Sequence, residues 1–214
     1  LNSFGSYVTQ PQIKQAIDEL ADANITDLVL DLRYNGGGLV LVAAELAYQI
    51  APTELSANKS FAKLLYNDKK AGQDVLVPFY SDTFAINDTP SQPLNSLGLE
   101  RVYVLATGST CSASELLING LRGIGVEVYL FGQQTCGKPY GFSGVANCGT
   151  RYFSVEFENA NELNWGDYSA GFSPTETSNI FSTDVAGCAV SDDLGYPLGN
   201  PTEAILATAL YYLE

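Results

Sequence analysis

The sequence predicts an α/β fold built from repeated strand–turn–helix units, with a loop-rich C-terminal segment. Three observations predict it. Two short apolar runs, Leu28 to Leu32 and Arg101 to Ala106, have the continuous hydrophobic character of strands buried on both faces. Each is followed by a glycine or polar turn and then an apolar helical stretch, the order that builds an α/β unit. Residues 158–198 are rich in Asn, Gly, Ser and Pro and read as loops draped over the core.

The elements follow in order. Residues 10–23 read as an amphipathic helix, with Ile13, Ala16, Ile17, Leu20 and Ala21 at helical spacing, Thr9 as its cap and Pro11 in the first turn. The strand Leu28 to Leu32 ends at Gly36, Gly37 and Gly38, and a helix runs from Leu39 to Ile50 until Pro52 closes it. Leu64 to Tyr66 and Val75 to Phe79 read as strands, and residues 87–96, with Pro90 and Pro93, as a surface loop. After the strand Arg101 to Ala106, the turn Thr107-Gly108-Ser109-Thr110 leads to a helix from Ser112 to Leu121. Glu127 to Phe131 is a third buried-type strand, Arg151 to Phe157 alternates as a half-exposed one, and Thr202 to Leu213 forms a terminal helix.

Composition narrows the function. At 214 residues and 46% hydrophobic, the chain can bury one substantial core. Its net charge of −14 leaves no basic surface for phosphates, which argues against a nucleic-acid partner and against an anionic membrane surface. No apolar run is long enough to cross a bilayer. The chain starts at Leu1 and contains no methionine, so it reads as a domain excised from a longer precursor, and a missing leader says nothing about compartment. The four cysteines, Cys111, Cys136, Cys148 and Cys188, match no zinc spacing; their even count fits two disulfides, of which three connectivities are possible, and an oxidising compartment.

The chemistry concentrates in three turns. Thr110-Cys111-Ser112-Ala113-Ser114-Glu115 places a serine at a strand-to-helix turn, and Thr135-Cys136-Gly137-Lys138 places a lysine in a glycine turn after the next strand. The chain has no histidine, so a serine nucleophile needs another base. Lysine serves only when neutral, which burial in an apolar pocket favours; Tyr140 and Phe142 flank Lys138. The unpaired N–H groups of a helix N-terminus and its dipole favour a developing oxyanion, so Ala113 N–H is one candidate donor. Gly37 or Gly38 is the second, because glycine lets a backbone approach closely. Taken singly, Ser112 with Glu115 is a capping box, Lys138 a loop lysine and the glycines a turn; their order and spacing carry the signal.

On these motifs the chain resembles the C-terminal processing, or tail-specific, serine peptidases. Leu30-Asp31-Leu32-Arg33-Tyr34-Asn35-Gly36-Gly37-Gly38 matches that family's Asp-Leu-Arg-x-Asn-x-Gly-Gly signature, Ser112 to Glu115 its nucleophile segment, and Thr135 to Lys138 the segment ending in its general base. Leu1 to Phe4 is similar to the strand leading into its protease core. The resemblance implies a Clp-protease/crotonase-like core across residues 1–214, with any PDZ domain lying upstream. It implies Ser112 as nucleophile, Lys138 as base, Ala113 with Gly37 or Gly38 as oxyanion hole, Glu115 and Thr135 as supporting residues, and Asp31 and Arg33 as pins of the glycine turn. It implies no cofactor or metal, a polypeptide substrate, and a periplasmic, cell-envelope or secreted location. Many relatives place a glutamine four residues after the lysine, where this chain has Phe142; its 137–142 and 166–168 segments are similar to a bacterial envelope subgroup. That subgroup implies a Cys148–Cys188 bond; Cys111 and Cys136, each within two positions of a catalytic residue, form a second candidate pair beside the dyad.

The function expected is therefore an endopeptidase acting near protein C-termini or on unfolded polypeptides. A non-catalytic module binding an apolar ligand or a peptide on the same fold is the alternative, since fold does not set function. An acyl-CoA enzyme would need a basic phosphate-binding patch, and ten Lys and Arg are spread along the chain. The sequence sets no oligomeric state.

Overall fold

The computed structural model describes residues 1–6, 8–85 and 90–213; positions 87–89 of the predicted 87–96 loop lie outside the described residues. The chain runs through α1 (Thr9–Asp22), β1 (Val29–Asp31), α2 (Val40–Ile50), the single turn α3 (Thr53–Ser56), β2 (Ser60–Tyr66), β3 (Val75–Pro78), β4 (Arg101–Ala106), α4 (Ala113–Gly123) and β5 (Glu127–Gly132). It continues through β6 (Tyr140–Gly141), β7 (Val145–Asn147), β8 (Thr150–Tyr152), β9 (Phe157–Ala160), β10 (Ser173–Thr175), β11 (Asp184–Ala189) and α5 (Ala204–Leu213). The architecture is mixed α/β. A five-stranded sheet of order β1-β4-β5-β11-β10 is parallel throughout, and a four-stranded antiparallel sheet has order β3-β2-β9-β6.

The apolar strands lie where their composition requires. Val102 to Ala106 of β4 are all buried, in register with Val128 to Gly132 of β5, as expected for parallel strands covered on both faces. α4 is buried at every residue and packs against α2, β2, β5 and β9. An entirely buried helix must satisfy its polar side chains internally. Asn119 donates to Trp165 O at 3.1 Å, and the Arg122 guanidinium donates to the carbonyls of Asn179, Ser182 and Asp184. Burial pushes the Arg122 guanidinium down to about 10, which leaves it charged at neutral pH. On the other side of the parallel sheet, Ile205 and Ala209 of α5 cover Tyr103, Leu105 and Phe131. Truncating Phe131 to Ala would open a cavity costing about 3–5 kcal/mol.

Several sequence expectations are corrected here. Residues 158–198 are not merely loops, because they supply most of β9 and all of β10 and β11. β11 joins the parallel sheet beside β5, and at Gly187 a Cβ would lie 1.9 Å from Leu130 O. The close backbone approach demands glycine, and that glycine breaks the apolar run by which a strand is recognised. The predicted strand Arg151 to Phe157 is divided between β8 and β9, with residues 153–156 in neither. Thr9 lies inside α1 rather than capping it, because Val8 already has helical φ and ψ.

The expected Cys148–Cys188 bond is absent: both thiols are free. Cys148 occupies the two-residue turn of the β7–β8 hairpin, where it and Gly149 both have positive φ (48° and 77°), the geometry of a type I′ turn. Cys188 instead packs against the buried cluster beneath α5.

Candidate active site

Three turns at the C-terminal ends of β1, β4 and β5 converge. The glycine turn after β1 is held by Asn35, which is fully buried: its side-chain Oδ1 accepts Gly37 N–H at 2.9 Å, and its carbonyl accepts Cys111 N–H and Ser114 Oγ–H, each at 3.0 Å. Gly37 therefore touches the serine turn directly; a Cβ there would lie 2.7 Å from Ala113 N and from Ser112 Cβ. Gly38 is bridged to the fully buried Phe4, and a Cβ on it would lie 2.2 Å from Phe4 C and Gly5 N. Of the candidate oxyanion donors, Gly37 N–H is thus spent on Asn35, whereas Ala113 N–H and Gly38 N–H have no acceptor among the described residues.

Asp31 and Arg33 brace this turn. Arg33 Nε and Nη2 bond both Asp31 oxygens, at 3.0 and 2.7 Å, and Nη1 reaches Glu203 Oε2 at 2.8 Å. The bond to Asp31 raises the guanidinium pKa, its largest cause. Glu203 also accepts the N–H groups of Ile205 and Leu206 at the start of α5, so the terminal helix is tied to the glycine turn. Tyr34, at φ 63°, extends from the same turn to hydrogen-bond Asp192. Burial, and then that bond, pushes its phenol up to about 12.

Ser112 sits between β4 and α4 with φ 57° and ψ −115°, a sparsely populated conformation for a residue with a Cβ. Such a backbone costs about 1–3 kcal/mol and persists only where its surroundings hold it. They do. Glu115, fully buried, accepts Ser112 N–H at 2.9 Å through Oε2. Its two oxygens also accept Lys138 N–H at 2.9 Å, Gly137 N–H at 2.7 Å and Thr135 Oγ1–H at 2.6 Å. One carboxylate in the first turn of a helix, where the dipole favours it, thereby joins the serine and lysine turns. Cys111 and Cys136 are covalently bonded beside it, with Cα atoms 5.2 Å apart. Cys111, Cys136 and Glu115 present donor atoms within 4.8 Å of one another, but sulfurs joined in a disulfide are not the thiolates that ligate metal.

The lysine itself differs from expectation. Lys138 is half-buried rather than enclosed, because Tyr140 and Phe142 are themselves 43% and 41% exposed. Nζ lies 4.8 Å from the centre of the Phe142 ring and makes no hydrogen bond or ion pair among the described residues, including none to Ser112 Oγ. The residues that sequence reasoning missed are Asn35 and Glu203. Asn35 stands inside the quoted signature; Glu203 carried no signal beyond its place at a helix start.

Comparisons with known proteins identify the family and the fold. The profile of peptidase family S41 matches residues 1–146. A putative S41 protease from Bacteroides fragilis is 26% identical, with a TM-score of 0.79 over 99% of this chain and 52% of its own. The photosystem II D1 C-terminal processing protease (24% identical, TM-score 0.55, 81% of this chain and 40% of its own) shares the fold. So does a lipoprotein from Streptococcus agalactiae (16% identical, TM-score 0.56, 81% of this chain and 58% of its own). The chain spans about half the length of these solved structures, and no curated protein sequence matches it significantly. With the family profile covering more than half of its residues, the chain belongs to peptidase family S41.

Proposed function

We propose that this chain is the catalytic core, residues 1–214, of a longer serine endopeptidase that cleaves polypeptides near their C-termini or in unfolded segments. Ser112 is the nucleophile and Lys138 the general base. The observation that carries the reading is the Glu115 carboxylate, which binds the backbone N–H of both residues and so keeps the two turns together. In the acylation step Lys138 takes the Ser112 proton as Oγ attacks the carbonyl carbon. Ala113 N–H and Gly38 N–H face the oxyanion, and the lysine then protonates the leaving amine. Water repeats the sequence on the ester. The disulfide beside the site supports an oxidising location, in the envelope or outside the cell.

A fluorophosphonate probe tests the nucleophile, and cleavage of a tailed peptide by Ser112→Ala and Lys138→Ala tests the dyad. Both variants should keep the fold and lose turnover by at least about a thousandfold. Turnover surviving either change would overturn the dyad, whereas a folded parent protein that neither labels nor cleaves would favour a non-catalytic binding module on the same scaffold.

A further inference from the structure

We infer that Phe142 is a positioning residue for Lys138, its ring face acting as the electrostatic partner of the ammonium formed when the lysine takes a proton. The inference rests on the dyad reading and adds to it the group that receives the charge. Nζ stands 4.8 Å from the ring centre, within the range in which a cation is attracted to an aromatic face, and no carboxylate or carbonyl among the described residues bonds it.

The ring is held in place rather than left at the surface by chance. Residues 140–141 pair with β9, and a Cβ on Gly141 would lie 2.2 Å from the Phe157 ring. Glu156 N–H donates to Gly141 O at 3.0 Å, and Glu156 Oε2 accepts Ser143 N–H at 3.3 Å, so backbone bonds bracket Phe142 on both sides. Phe153 meets the ring edge-on with centroids 5.5 Å apart, which leaves a face for the lysine.

The chemistry assigns the contact a direction. As Ser112 attacks, its O–H bond breaks, an N–H bond forms on Lys138, and the carbonyl π pair moves to the oxyanion. A neutral amine gains little from an aromatic face, whereas an ammonium gains several-fold more, so the contact strengthens toward the transition state.

The test replaces Phe142 in the full chain with Trp, Tyr and Leu, and with mono-, di- and trifluorophenylalanine, and measures kcat and KM on a tailed peptide beside Lys138→Ala. Trp and Tyr should keep kcat within about twofold. Leu should lower it by roughly 3- to 30-fold, and stepwise fluorination should lower it monotonically, all with KM unchanged. A flat fluorination series, or an effect confined to KM, overturns the role of Phe142 while an inactive Lys138→Ala leaves the dyad standing. An active Lys138→Ala overturns the dyad, and this role with it.

Discussion

Glu115 Oε2 accepts the backbone N–H of Lys138 at 2.9 Å, so a side chain on the first turn of the serine helix fixes the turn that carries the lysine. The same oxygen accepts Ser112 N–H, and the second oxygen takes Gly137 N–H and Thr135 Oγ1–H. In Glu115→Gln an NH2 group would meet two converging donors. Buried donors left unpaired cost about 1–3 kcal/mol each, so a destabilisation of about 3 kcal/mol is expected in urea unfolding. Probe labelling at Ser112 should slow by more than tenfold in the folded variant. A variant as stable and as reactive as the parent would show that Glu115 does not hold the site.

Cys111 and Cys136 close a loop of 25 residues' separation between the serine and lysine turns. The chain-entropy argument assigns such a link about 3 kcal/mol. Cys111→Ser with Cys136→Ser should lower the melting temperature by several degrees and reduce turnover, as should reductant on the parent protein. Cys148→Ser, at an exposed free thiol, should change neither. Thiol titration of the unfolded, unreduced chain checks the pairing: two groups should react, and four after reduction.

Gly37→Ala places a methyl group 2.7 Å from Ala113 N, Cys111 O and Ser112 Cβ, at a residue with φ 94°. Two backbone atoms and a Cβ fixed to the backbone cannot yield as the far end of a flexible side chain would. A loss of about 2–4 kcal/mol is expected, with probe labelling abolished in whatever fraction folds. Calorimetry and labelling of the same preparation decide it; ordinary reactivity would place Gly37 away from the nucleophile.

Glu156 ties the Phe142 segment to Lys70, at 2.9 Å. The bond to Lys70 is the first cause holding its carboxyl below the ordinary 4.5. A carboxylate with a depressed folded pKa stabilises the native state above its unfolded value, and that stability is lost as pH falls through the folded value. Acidification from about pH 5 should therefore loosen the segment progressively, seen as faster exchange of the Ser143 amide. Glu156→Gln should remove this pH dependence; an unchanged profile would refute the assignment.

How much was legible in the sequence depends on whether a residue's role is local. The strands β4 and β5 could be read because burial makes their central residues apolar, the partly buried β1 because Leu28 to Leu30 are apolar, and α2 and α4 because apolar spacing survives in the chain. The serine and lysine turns were visible as residue types at fixed places between those elements. β11 was hidden by Gly187, and the Cys148–Cys188 pairing failed because a hairpin turn claims one cysteine and the cluster beneath α5 the other. The enclosure expected around Lys138 failed because Tyr140 and Phe142, apolar by composition, lie on and just after the edge strand β6, where both stay exposed.

By itself, then, the sequence determined the α/β order, the family signature and the candidate reacting groups, because strand and helix patterns and turn residues act over a few neighbours. Only the tertiary structure decided that Glu115 joins the two turns, that Asn35 claims Gly37 N–H, that Arg33 reaches Glu203, and that the Phe142 ring is what faces the lysine. The contacts of Glu115 with the lysine turn and of Arg33 with Glu203 link residues far apart in the chain, and the two local ones form in turns that those packed elements hold. Their distances are set by how the layers pack, which no local pattern encodes.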